Sequence, residues 1–133
     1  MRIVRDVMSG EIEVLRTTET AADAASYLAS HLDESVPLCL SDGSLAGMVS
    51  NRDIVSKVVA KGRDPREVRL AELADSSDAL ALDVSVTVED AVTFMCHHDR
   101  TRLPVTDGNR VIGLVTQRDI ARSLSFRPSW VDA

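Results

Sequence analysis

Apolar positions along the chain follow two rhythms, and both rhythms occur twice. Over residues 20–31 and 87–98, apolar side chains recur at i, i+3, i+4 and i+7: Ala21, Ala24, Ala25 and Leu28, then Val88, Ala91, Val92 and Met95. That spacing puts one apolar stripe on each of two helices. Thr20 and Thr87 stand where an N-cap belongs. After each helix come two short apolar runs divided by an Asp-Gly turn, which predicts a β-hairpin. The hairpins are expected at 36–40 with 45–49 and at 103–106 with 111–115. A short strand before each helix (13–16 and 79–82) and a helix after each hairpin (53–60 and 119–124) complete two βαββα units.

The two units are copies of one another. Gly47-Met-Val-Ser-Asn-Arg-Asp-Ile54 matches Gly113-Leu-Val-Thr-Gln-Arg-Asp-Ile120 at an offset of 66. Val36-Pro37-Leu38 matches Leu103-Pro104-Val105, and Thr20-Ala-Ala-Asp-Ala24 matches Thr87-Val-Glu-Asp-Ala91, both at 67. The one-residue difference falls in the turns Ser41-Asp42-Gly43-Ser44 and Asp107-Gly108-Asn109, where an insertion is tolerated. Each half opens alike, Val4-Arg-Asp-Val-Met8 against Leu70-Ala-Glu-Leu-Ala74. Self-similarity of this kind decides the architecture. The expected partition is a first repeat over 1–62 with its core at about 4–57, a linker at 63–69, a second repeat at 70–124, and a tail at 125–133. The fold class is α/β (α+β). A unit of about 60 residues is marginal alone, so two units sharing a core are expected.

Composition narrows the function classes. Of 133 residues, 44% are hydrophobic, enough for a core; the net charge is −6 and the pI about 5.0. An acidic chain is ill suited to non-specific binding of nucleic acid or anionic membrane. No run approaches the roughly 18 apolar residues of a membrane span, and the start, Met1-Arg2-Ile3-Val4-Arg5-Asp6, lacks the apolar core of a signal peptide. A cytoplasmic protein is expected. Cys39 and Cys96 are too few for a disulfide scaffold; a single bridge and two buried thiols are the alternatives. Trp130 in the tail either meets a partner or covers the chain's own surface.

The segment with chemistry in it is the repeated [Ser/Thr]-x-x-Asp at a strand-to-helix junction: Ser50 with Asp53, and Thr116 with Asp119. A helix start offers unpaired N–H groups suited to a phosphate, and a carboxylate can hold paired hydroxyls such as those of a ribose. The same spacing is also a capping box, which explains both copies with no ligand. Arg52 and Arg118 adjoin the aspartates but point about 100° away on a helix, so a solvated face suits them better. Cys96-His97-His98-Asp99 does not read as a metal site, because consecutive helical positions fan outward. No Walker-type loop and no nucleophile with a placed base is present, so no enzyme is expected.

Taken together, hydrophobic-Pro-hydrophobic, an Asp-Gly turn and Gly-x-Val-[Ser/Thr]-x-Arg-Asp-Ile, twice, resemble a pair of cystathionine-β-synthase (CBS) domains over residues 4–124. The likeness is strongest to stand-alone two-repeat members. It implies a pseudo-twofold module with clefts between the sheets. It also implies an adenosyl ligand: AMP, ATP, S-adenosylmethionine or NADH. In that reading Ser50, Asp53, Thr116 and Asp119 contact phosphate and ribose. The strand residues Val36, Leu38, Leu103 and Val105 border the base. Thr17 and Val84 stand at the first-strand exit, where the family often has proline.

The copies differ at the approach to the Pro strand. One reads Asp33-Glu34-Ser35-Val36-Pro37, the other Arg100-Thr101-Arg102-Leu103-Pro104. An acidic pair repels phosphate, whereas a guanidinium forks onto it. The phosphate is therefore expected near Arg102, the alternative being that Arg100 and Arg102 are solvated charges. Two functions compete: a nucleotide-sensing homodimer acting on an unknown protein partner, and a ligand-silent dimeric scaffold.

Overall fold

The two expected threonines do start the long helices. In the computed structural model of the protein, residues 2–10, 12–31, 34–74 and 79–124 are described. The Asp23 N–H donates to Thr20 Oγ1 at 3.2 Å and the Asp90 N–H to Thr87 Oγ1 at 3.1 Å. The helices Ala21–His31 and Val88–His97 follow directly. Asp23 returns two bonds, from the N–H and the hydroxyl of Thr20. Those bonds, with a smaller contribution from the Arg69 charge, hold its carboxyl below the usual carboxylate range. Trp130 and Asp33 lie outside the described residues.

In chain order the elements are α1 (Val4–Val7), β1 (Leu15–Arg16), α2 (Ala21–His31), β2 (Ser35–Cys39), β3 (Leu45–Ser50) and α3 (Asn51–Ile54). Helix α3 runs into a π-type turn at Val55–Val59, and a 3₁₀ turn follows at Leu70–Glu72. The second copy supplies β4 (Leu82–Asp83), α4 (Val88–His97), β5 (Arg102–Asp107), β6 (Arg110–Thr116) and α5 (Gln117–Ser123). The strands make two sheets, β1-β2-β3 and β4-β5-β6. In each, the short first strand runs parallel to the Pro strand, with Leu15 beside Leu38 and Leu82 beside Val105. Strands β2 and β3 run antiparallel, Ser35 facing Ser50.

Two expectations are corrected. The second helices begin at Asn51 and Gln117, not at 53 and 119, because the cap is the motif hydroxyl and the aspartate is already the third helical residue. The strand expected at 79–82 lies at Leu82–Asp83, since pairing with Val105 and Thr106 sets its place. Between the repeats the chain also reaches a core: Val68 is 1% exposed, and its carbonyl accepts the Ala21 N–H at 2.8 Å.

The chain forms two units whose membership does not follow the repeats. One comprises Glu13–Leu80 with Asn109–Val111. Its core gathers Leu15, Leu28, Leu38, Val49, Val58 and Leu70. Here the opening of the second repeat closes the first, the Leu70 N–H donating to Glu19 O at 2.8 Å. The other unit comprises Met1–Ile12, Ala81–Gly108 and Ile112–Ala133. It buries Val4, Met95, Leu103, Val105, Val115 and Ile120. Here the opening of the first repeat closes the second: the Val4 N–H donates to Val86 O at 2.8 Å, and Ser9 exchanges two backbone bonds with Leu114. This pairing needs a glycine at 113. A Cβ there would sit 2.7 Å from Ser9 O and from Met8 Sδ, closer than any carbon tolerates.

Candidate functional site

Both motif pairs form complete capping boxes. Ser50 Oγ accepts from the Asp53 N–H at 3.1 Å, and Asp53 Oδ2 accepts from the Ser50 N–H at 2.9 Å. Thr116 and Asp119 repeat this at 3.1 and 3.0 Å. The local sequence dictates it: a hydroxyl before the helix and a carboxylate three residues on satisfy one orphan donor each. One carboxylate oxygen per aspartate, Oδ1, is left for other work. The N–H of the third helical residue is spent on the cap in both copies, so it is not offered to a phosphate.

The two spare oxygens have different surroundings. Asp53 Oδ1 is taken by Lys57 Nζ at 3.3 Å, one helical turn on. Asp119 makes no ion pair with a described residue. It opens instead onto a cavity of about 220 Å³ lined by Arg2, Asp6, Val7, Arg122 and Ser123. Thr116 and Arg102 are not among the lining residues. Arg102 begins β5, half-buried, with its Nε shut away from solvent. The Gln117 N–H donates to Thr101 O at 2.9 Å, as Asn51 does to Glu34 O in the first copy, and this holds the start of β5 beside the Thr116 cap. Ser35 has the equivalent place beside Ser50. Glu34, Arg52 and Arg118 are exposed.

The strand residues expected to border a base are core residues. Val36, Leu38, Leu103 and Val105 are 0–2% exposed. Alternation fails on these Pro strands because both faces are covered, so what they can offer a ligand is backbone. Thr17 and Val84 have committed backbones as well. Thr17 donates to Cys39 O and accepts from Ala71; Val84 donates to Thr106 O and accepts from Arg5. Arg2 and Arg122 were not among the expected site residues. Arg122 had a legible signal, sitting three residues after Asp119 on one helical face. Arg2 is brought in by the exchange of opening segments, which repeat matching alone does not reveal.

Both cysteines are free thiols, Cys39 buried and Cys96 exposed. Burial pushes the Cys39 thiol up, against a smaller opposing pull from Arg16. Cys96 thus departs from the expectation of a buried thiol: its equivalent is Ala29, on the outward side of the helix. No group of three or more His, Cys, Asp or Glu gathers among the described residues. None of the described helices is long and apolar enough to cross a membrane.

A second type of surface feature recurs in both copies. A groove of about 480 Å³ runs between α2 and α3, lined by Ala25, Leu28, Glu34, Asn51, Ile54 and Val55. The equivalent groove between α4 and α5, about 220 Å³, is lined by Val92, Met95, Cys96, Gln117, Ile120 and Leu124. Val55, Val59 and Leu124 stand 60%, 63% and 59% exposed along these helices.

Comparison with known proteins gives a consistent picture. A family model described as the CBS domain matches residues 4–60 and 70–125. Hypoxic response protein 1 of Mycobacterium tuberculosis is 36% identical over 93% of this chain and 86% of its own length. A crystal structure of Hypoxic Response Protein I with two coordinated zinc ions superposes with a TM-score of 0.84 at 34% identity, covering 92% of this chain and 99% of that one. A crystal structure of CBSX2 in complex with AMP shares the fold, with a TM-score of 0.80 at 22% identity and coverage of 94% and 97%.

Proposed function

The chain belongs to the CBS-domain family, and from that premise we propose that it is a regulatory module whose second repeat senses an adenosyl nucleotide. AMP and ATP lead the candidates, with S-adenosylmethionine and NADH behind them. The observation that carries the reading is the cavity at Asp119. A carboxylate oxygen suited to ribose hydroxyls faces a pocket walled by two guanidiniums, in the copy that also starts its Pro strand with Arg102. The AMP complex of a protein with this fold supports the ligand class. In the first copy Lys57 occupies the aspartate, and no arginine stands at the strand start.

The test is a thermal-shift screen with AMP, ADP, ATP, S-adenosylmethionine and NADH. A ligand that binds only the folded state at a hundredfold excess over its Kd adds about 2.7 kcal/mol of stability, a rise of several degrees. No rise for any of the five at millimolar concentration favours the competing reading, a ligand-silent scaffold.

We also infer a homodimer, with each apolar groove contributing self-complementary surface. Large exposed valines and a leucine beside an apolar groove mark an interface rather than a solvated face. Light scattering is expected to give a dimer mass for the wild type and a monomer mass for Val55→Glu with Val59→Glu. A monomeric wild type contradicts this.

A further inference from the structure

We propose that, in the cavity beside Asp119, Arg2 and Arg122 take the anionic end of the ligand whose hydroxyls Asp119 holds. The inference rests on the nucleotide reading above and names the residues that select a charged ligand over a neutral nucleoside.

The cavity holds two cations and two carboxylates, so its overall balance says little; how each group is committed says more. Asp6 spends Oδ2 on the Ile3 N–H at 3.0 Å, and Asp119 spends Oδ2 on the Thr116 N–H at 3.0 Å. Neither arginine makes an ion pair with a described carboxylate. Arg122 projects from α5 three residues after Asp119, on the same side of the helix. Its guanidinium keeps all five donors for a ligand or for water, as far as the described residues go. Arg2 is fixed at two points. Its carbonyl accepts the Val88 N–H at 3.0 Å, and its Nη1 donates to the Ser123 carbonyl near the end of α5. That bond uses one donor and aims the fork at the lining of the cavity. Two guanidiniums, that of Arg2 held in place, beside one carboxylate are the donor set for a molecule that carries vicinal hydroxyls and a phosphate.

The first copy lacks this set. At the repeat offset of 66, Arg122 becomes Ser56 and Arg2 becomes Val68, which is 1% exposed in the core. Asp6 becomes Glu72, already paired with Arg63 at 2.7 Å. Every feature that would hold an anion at Asp119 is replaced or occupied at Asp53.

The experiment is calorimetric titration of ATP, AMP and adenosine into the wild type, Arg2→Met, Arg122→Met, the double variant and Arg122→Lys, with the melting temperature of each variant as a fold check. The quantity read is the affinity for ATP relative to adenosine. Loss of a charge-assisted bond is expected to lower that ratio about tenfold per arginine, with Arg122→Lys retaining most of it. A ratio unchanged in the folded double variant overturns the inference and leaves the nucleotide reading standing. Wild type that binds neither ATP nor adenosine overturns both.

Discussion

Leu38→Ala is expected to lower the melting temperature on the order of 10 °C. Leu38 is 0% exposed, with Leu15 on its parallel side and Gly47 on its antiparallel side. Truncating a buried leucine removes transfer energy and leaves a cavity, together about 2–5 kcal/mol. For a chain of this size each kcal/mol moves the midpoint by roughly 3–4 °C. Collapse into the void is limited, because Val36, Val49, Leu28 and Leu70 close the same core. The loss should appear as a shifted calorimetric midpoint. Ligand affinity of the folded variant at 10 °C should change little, since the side chain belongs to the core and not to the cavity at Asp119. A strong loss of nucleotide affinity at unchanged stability would reverse that assignment.

Why some of this was legible in the sequence and some was not follows from where the information lies. The helices 20–31 and 87–98 were visible because a local pattern sets them: an apolar face and a threonine cap. The hairpins were visible because their turns carry Asp-Gly, and Gly43 and Gly108 adopt the positive φ of 89° and 64° that such turns demand. The first strands were harder. Each is only two residues long, and its place is fixed by a partner 23 residues on, not by its own composition. The offset of 67 that aligns the long helices carries Leu15 onto Leu82, so the place of β4 was recoverable from the repeat.

The candidate site was half legible. Ser50, Asp53, Thr116 and Asp119 could be picked out, and so could the ambiguity between cap and ligand contact. In this structure the cap is formed in both copies and engages one carboxylate oxygen of each aspartate. The burial of Val36, Leu38, Leu103 and Val105 was not legible, since apolar runs do not tell a cleft wall from a core. Arg2 was hidden because the opening segments exchange between repeats, a tertiary event with no local signature. The asymmetry between the copies was legible at Arg102 and deepens at Lys57 and Arg122.

Asp119→Asn against Asp53→Asn tests that asymmetry. The two substitutions alter the same capping carboxylate in equivalent boxes, so their structural consequences should match, and a difference in binding reports the ligand. A hydrogen bond to a charged group contributes about 1.5–3 kcal/mol, tenfold or more in affinity. Asp53 already holds Lys57, so its loss frees a cation without removing a ligand contact. The measurement is calorimetric titration of AMP and ATP into wild type and both variants. Binding to the wild type is expected, with a loss of about tenfold or more in Asp119→Asn and a change below about threefold in Asp53→Asn. Equal losses in the two variants, a larger loss in Asp53→Asn, or no binding of either nucleotide to the wild type would overturn the asymmetry between the copies.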